Sequence, residues 1–430
     1  MRKLTVKNFS VIKEAELEFG KITVLIGPQS SGKSLLCKLA YFFQKTVLEI
    51  AEECIRNDIS FESFGVEVAL RFVSSAWFPY LGPEDGSKIA YTDGSYSVVL
   101  DRSAPLRHPG GFDTNKFALV HFSDEVSTAY EMTLLRLRQE IHSSEKADYQ
   151  RYSIQIRERL EALQSPESAI YSYIPSTRAF FVSPQKAIIG TSQRLDPITI
   201  LFSQDFEFDF EKRVPRTGLE SDLFSWISEE FSKILQGEVR VVGNTEVFRA
   251  KDGREIPLTF LSSGAQELLP LATCLREYIG LSAAVAKSLE MKRALDRRLF
   301  FLEEPEAAVF PSTQYDLVRI FARMANEPAL DAHWVITTHS PYILSSFNNL
   351  LEAWQVAANK PDGKNEVAKL IDERYWIKPS DFKAYCIHDG KLESIMDEET
   401  GLINGNYLDG VSSEIGSQFD ELLRIGYVEA

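Results

Sequence analysis

The chain has 430 residues, 44% hydrophobic and 25% charged, a globular composition with room for one large domain or two ordinary ones. No stretch approaches the roughly 20 apolar residues needed to span a bilayer, and the alternating N-terminus MRKLTVKNF is no signal peptide, so a cytoplasmic protein without a membrane partner is expected. A formal net charge of −15 argues against a surface built mainly to grip nucleic acid, which favours basic proteins, although a local basic groove stays possible and protein partners stay open.

In chain order, Leu4, Val6 and Phe9 lead into a segment where Ala15, Leu17 and Phe19 alternate with Glu14, Glu16 and Glu18, the period of a half-exposed strand. Lys21–Ile26 (KITVLI) is a short apolar strand, and Lys33–Phe43 reads as a helix. Between them, Gly27-Pro-Gln29-Ser30-Ser31-Gly32-Lys33-Ser34 fits GxxxxGK[ST] in full. Strand, glycine-rich loop and helix in this register let backbone N–H groups cradle phosphate oxygens at the positive end of a helix. Lys33 is then expected at the β- and γ-phosphates of ATP, and the Ser34 hydroxyl on Mg²⁺. The four cysteines (Cys37, Cys54, Cys274, Cys386) are scattered and form no CxxC pair, so buried free thiols are expected.

Further on, Val66, Val68, Leu70 and Phe72 alternate in strand fashion, and Asp93-Gly94 marks a hairpin turn within Ile89–Leu100. Residues 123–164 lack proline and glycine, and Leu134, Leu137, Ile141, Ile156, Leu160 and Leu163 recur at helical spacing. Two helices ended by Ser165-Pro166 follow, serving as a partner-binding arm or as a lid on the core. Asp205–Phe210 (DFEFDF) reads as an amphipathic strand, with an acidic-aromatic docking strip as the alternative.

Leu261-Ser262-Ser263-Gly264-Ala265-Gln266-Glu267 opens a helix-like run, a second Ser/Gly helix start suited to an anion. Leu299–Leu302 is continuously apolar, the pattern of a strand buried on both faces, and it ends in Glu303-Glu304-Pro305-Glu306. Glu303 is expected to hold Mg²⁺ through water, and Glu304 to polarise the attacking water. Trp334–Thr338 is a second apolar strand, ending at His339, which is expected to sense the γ-phosphate.

The order phosphate loop, LSSGAQE, EEPE and ITTHSPYIL resembles the ABC-type ATPase superfamily, in particular its RecF/OLD/SMC-like stand-alone branch. The resemblance implies an α/β P-loop fold of ABC/SMC-like head type: a mixed central sheet flanked by helices, an antiparallel β lobe and a helical insert. The expected segments are 1–122 (N-terminal lobe with the phosphate loop), 123–166 (insert) and 167–430 (C-terminal lobe). It also implies that Ser262 and Gly264 of one copy contact the γ-phosphate held by another, in an ATP-dependent homodimer or higher homo-oligomer. Glu303 departs from the usual Asp, and Phe310 stands where the branch often has histidine before a proline. Gln185 is a Q-loop candidate by type alone. Tyr173–Arg178 resembles a YIPxxR element of the branch, giving Arg178 a nucleotide-contacting or coupling role, with a surface salt bridge as the alternative.

Relatives of this kind often serve DNA repair or phage defence. About 90 residues follow His339 without a cluster of metal-binding acids, so an effector nuclease or toxin is expected on a separate chain, as in PARIS-like or Septu-like systems. The alternatives are an ATPase acting directly on DNA, through a basic cluster of Lys292, Arg293, Arg297 and Arg298, and a transporter subunit. The latter is disfavoured because over two hundred residues separate phosphate loop and signature.

Overall fold

The computed structural model describes residues 2–74, 86–102, 119–143, 149–164, 170–182, 198–199, 202, 222–242, 245–286, 298–405, 416–422 and 424. The alternating N-terminus forms an antiparallel hairpin, β1 (Lys3–Phe9) and β2 (Ile12–Glu18), with Leu4 opposite Leu17 and Val6 opposite Ala15. These four side chains are buried while Glu14 and Glu16 face solvent, so a one-residue slip would turn the apolar set outward.

The remaining strands are β3 (Ile22–Ile26), β4 (Lys88–Asp93), β5 (Tyr96–Asp101), β6 (Leu119–Phe122), β7 (Ile170–Ile174), β8 (Gly237–Val242), β9 (Thr245–Ala250), β10 (Glu255–Pro257), β11 (Arg298–Glu303), β12 (Ala332–Thr338), β13 (Phe382–His388) and β14 (Lys391–Ser394). The helices are α1 (Lys33–Tyr41), α2 (Val47–Arg56), α3 (Phe61–Ser74), α4 (Asp124–Ser143), α5 (Tyr149–Glu161), α6 (Asp222–Leu235), α7 (Ser263–Ala286), α8 (Pro311–Asn326), α9 (Pro341–Asn359) and α10 (Lys364–Leu370). Among the described residues, one mixed sheet runs β6-β5-β4-β1-β2-β14-β13-β3-β12-β11-β7, and β8, β9 and β10 form a smaller one. Strands β13, β3, β12, β11 and β7 are mutually parallel, and β6, β5, β4, β1 and β2 form the antiparallel lobe.

Alternate side chains of the parallel strands enter two separate cores. Leu25, Phe301 and Val335 join α1, α2 and α3 on one face. Val24, Phe300, Leu302, Trp334 and Ile336 join α7, α8 and α9 on the other. Strands covered on both faces need no polar alternation, which is why LFFL and WVI are unbroken apolar runs. Trp334 anchors the second core, stacked on Phe300 at 4.5 Å and tilted against Phe321 at 4.6 Å.

The segment Val66–Phe72 is helical, not a strand. Even-numbered alternation also contains the i, i+4 series, and α3 uses that series: Phe64, Val68 and Phe72 are fully buried while Val66 is 41% exposed. Helix α1 continues beyond Phe43 through a π-helical turn at Phe42–Thr46 into α2. In the β4–β5 hairpin, Asp93 pairs with Tyr96, so the turn residues are Gly94 and Ser95. Both helices expected in the insert form, and Leu134, Leu137, Ile156 and Leu160 pack into the α1–α3 core, with Arg157 bonded to Glu52 of α2 at 3.2 Å. All four cysteines are free. Among the described residues no helix is long and apolar enough to cross a membrane.

Candidate functional site

Strand β3 ends directly at the phosphate loop, and α1 starts at Gly32 with no side chain capping it. The first-turn N–H groups therefore lack the Ser or Asp acceptor that usually satisfies them. At Gly27 a Cβ would lie 2.5 Å from the Ile387 carbonyl oxygen, so only glycine lets the loop leave β3 this close to β13. The Lys33 ammonium donates to the carbonyls of Gly27 (2.8 Å) and Pro28 (2.7 Å). Burial lowers its pKa from the ordinary lysine value, opposed by the carboxylates of Glu304 and Glu306.

A cavity of about 240 Å³ opens beside the loop, lined by Ser10, Val11, Ser30, Ser31, Gly32, Lys33, Ser34, Leu35, Glu304 and His339. Three distant segments of the sequence thus converge because β3, β12 and β11 are adjacent and parallel, with their C-terminal ends together. Gln29 is exposed and outside this lining. The Ser31 hydroxyl is buried with no hydrogen-bond partner among the described residues. An uncapped helix start, an orphaned hydroxyl and a lysine on loop carbonyls fit the anionic end of a nucleoside triphosphate. Of the two residues expected at Mg²⁺, Ser34 lines the cavity and Glu303 does not.

Glu303 is 5% exposed. Its carboxylate accepts from the Tyr173 hydroxyl (2.6 Å), the Ser176 amide (3.1 Å) and the Ser176 hydroxyl (3.3 Å). Three donors leave one of its roughly four lone-pair positions, which suits a hold through water better than direct ligation. Glu304 reaches the cavity and lies 3.1 Å from His339 Nε2, while His339 Nδ1 lies 3.4 Å from Lys33 Nζ. An ammonium only donates, so this arrangement selects the tautomer with hydrogen on Nε2, donating to Glu304. The backbone of Glu304 is left-handed (φ +43°), a conformation costing about 1–3 kcal/mol and maintained only where neighbours fix it.

Glu306, given no role by the motifs, is a carboxylate at the edge of the site. Its Oε1 accepts from the Thr338 hydroxyl (2.8 Å) and the His339 amide (2.5 Å), holding the end of β12 in place. A carboxylate two residues after an acidic pair was the available signal. Tyr173 and Ser176 lie in the segment singled out for Arg178, but their bonds to Glu303 join residues 130 and 127 positions apart and have no sequence signal of their own.

The LSSGAQE turn is outside the cavity. Ser262 and Ser263 are exposed at the start of α7, and a Cβ on Gly264 would lie 2.8 Å from the Ala308 carbonyl oxygen. Arg178 is neither a surface salt bridge nor part of the cavity lining: it is 0% exposed. Its guanidinium donates to the carbonyls of Glu303 (2.7 Å), Glu304 (2.9 Å), Pro175 (3.2 Å) and Glu267 (3.1 Å), and lies 3.3 Å from the Glu267 carboxylate. Burial lowers its pKa, opposed by Glu267, Glu306, Glu303 and Glu304. Burial also raises the pKa of Glu267, opposed by Arg178.

Arg298 opens β11 with its guanidinium 4.3 Å from the Tyr278 ring centroid, held within the protein. Lys292, Arg293, Arg297, Gln185 and Asp205–Phe210 lie outside the described residues.

Among solved structures the chain is similar to an SMC head bound to the C-winged helix domain of ScpA (12% identity, TM-score 0.42, 92% of this chain and 98% of that one). It is similar to the SMC head domain from Thermotoga maritima (13%, 0.34, 91% and 97%), and to the ADP conformation of an ATP-binding cassette of an ABC transporter (12%, 0.32, 97% and 99%). No curated protein matches it in sequence. Residues 22–345, from the phosphate-loop strand to the helix after His339, match the AAA_21 family, described as "AAA domain, putative AbiEii toxin, Type IV TA system". The chain belongs to this AAA-domain family.

Proposed function

We propose that this chain is an ATP-hydrolysing switch in which two copies close around two ATP molecules. Closure controls an effector protein, a separately encoded nuclease or toxin, in bacterial defence against phage. One observation carries this reading: the phosphate loop, Glu304 and His339 share one cavity, whereas the Ser262–Gly264 helix start faces solvent outside it. An anion-binding turn without an anion site of its own chain to complete is suited to a second copy's triphosphate. The exposed aromatic rings of Phe260 (79%), Phe310 (74%) and Tyr342 (55%) beside the signature, α8 and His339 support such a contact. The family description sets the domain in a toxin–antitoxin system, which supports a two-component setting.

In the proposed cycle the β- and γ-phosphates take Lys33 from the carbonyls of Gly27 and Pro28. Glu304 releases His339 Nε2 to polarise the attacking water, and that Nε2–H donates to the γ-phosphate instead. The pair stays closed only as far as ATP binds it better than the separate copies.

The test is light scattering with and without ATP, alongside hydrolysis rates. Glu304→Gln should bind ATP, lose hydrolysis by about 100-fold or more and accumulate at twice the protomer mass. Lys33→Ala should not bind ATP. Wild-type turnover in Glu304→Gln, or an unchanged mass on adding ATP, would refute the reading.

A further inference from the structure

We propose that Arg178 is a positioning residue that transmits the state of the Ser262–Gly264 turn to the backbone of Glu304. The inference rests on the proposed role of Glu304 in activating water. One planar guanidinium joins three chain segments: the turn after β7 through Pro175, the end of β11 through Glu303 and Glu304, and the first turns of α7 through Glu267. Such a fork is rigid, so a shift at one attachment moves the others.

Glu304 is the attachment where movement has a chemical effect. Its left-handed backbone is fixed on one side by its own N–H, which donates to the Thr337 carbonyl at 2.9 Å. On the other side Arg178 grips its carbonyl at 2.9 Å. These bonds bracket the torsions that aim the carboxylate into the cavity. Glu267 lies one helical turn beyond Gly264 and meets Arg178 through both its carbonyl and its carboxylate. Any displacement of the exposed turn as it takes up a partner's phosphate is therefore carried along α7 into the fork.

A lysine keeps the charge but offers a single point in place of the fork. Arg178→Lys is expected to keep ATP affinity within about threefold, because Lys33 and the loop do not touch it, while kcat falls about 100-fold, the cost of misplacing a catalytic group by about 1 Å. Glu267→Gln keeps the backbone acceptor and loses the carboxylate. It should lower kcat about tenfold, and the double variant should be no slower than Arg178→Lys alone, as expected for two links in one path.

Fluorescent-nucleotide titration, steady-state hydrolysis and thermal melting read the three quantities. Wild-type kcat in Arg178→Lys overturns the proposal, as does a parallel loss of affinity, kcat and melting temperature, which marks a brace of the fold alone. If Arg178→Lys does not fold, Glu267→Gln decides, and an unchanged kcat there overturns it. Failure of the wild-type protein to hydrolyse ATP refutes the underlying reading of the site instead.

Discussion

Glu306 is the clearest case of a single carboxylate organising its neighbours. One oxygen takes both the Thr338 hydroxyl and the His339 amide, and the other is buried without a hydrogen-bond partner among the described residues. Hydrogen bonds to a charged acceptor contribute about 1.5–3 kcal/mol against about 1 for a neutral one. Glu306→Gln keeps an acceptor and removes the charge, so it should lower kcat about tenfold by loosening His339, with ATP affinity nearly unchanged. Steady-state kinetics beside a binding titration checks this, and equal losses in both would reassign Glu306 to the binding site. Residues of this kind are hard to read from sequence. Lys33, Glu304 and His339 announce themselves by motif, whereas Glu306, Tyr173 and Ser176 act through bonds that exist only once β7, β11 and β12 lie side by side.

Among the elements, the strands were legible where period and burial agree. β1 and β2 alternate because one face is wet, and β11 and β12 are unbroken because neither is. α3 misleads because Val66, Val68, Leu70 and Phe72 satisfy a period of two while every second member satisfies a helical i, i+4 repeat. The helix buries Phe72 against Phe42 (5.2 Å) and Phe9 (5.7 Å). Phe72→Ala should therefore cost about 3–5 kcal/mol, and Val66→Ser, on the exposed side, about 0.5 kcal/mol or less. Urea denaturation separates the two, since a strand with both residues on one face would make the two costs similar.

For the whole molecule, the family resemblance implies that the signature turn serves the phosphate loop of a second copy. In the fold of one chain, Ser262 and Gly264 are outside the cavity of their own phosphate loop. On the proposed reading, Phe260 and Phe310 meet the second copy. Phe260→Asp with Phe310→Asp should weaken ATP-dependent pairing at least tenfold, about 1.4 kcal/mol, while single-copy ATP affinity is retained. Sedimentation at graded protein concentrations measures this, and unchanged pairing would place the interface elsewhere.

The sheet order also fixes when the site can exist. β3 is made early, yet its neighbours are β12 and β13, from residues 332–338 and 382–388. At about 5–20 residues per second, a ribosome needs roughly 20–70 s to travel from β3 to the end of β13. Until β12 is made the loop strand has neither hydrogen-bonding flank, and until β13 is made it has only one, so the nascent chain holds no complete nucleotide site before then.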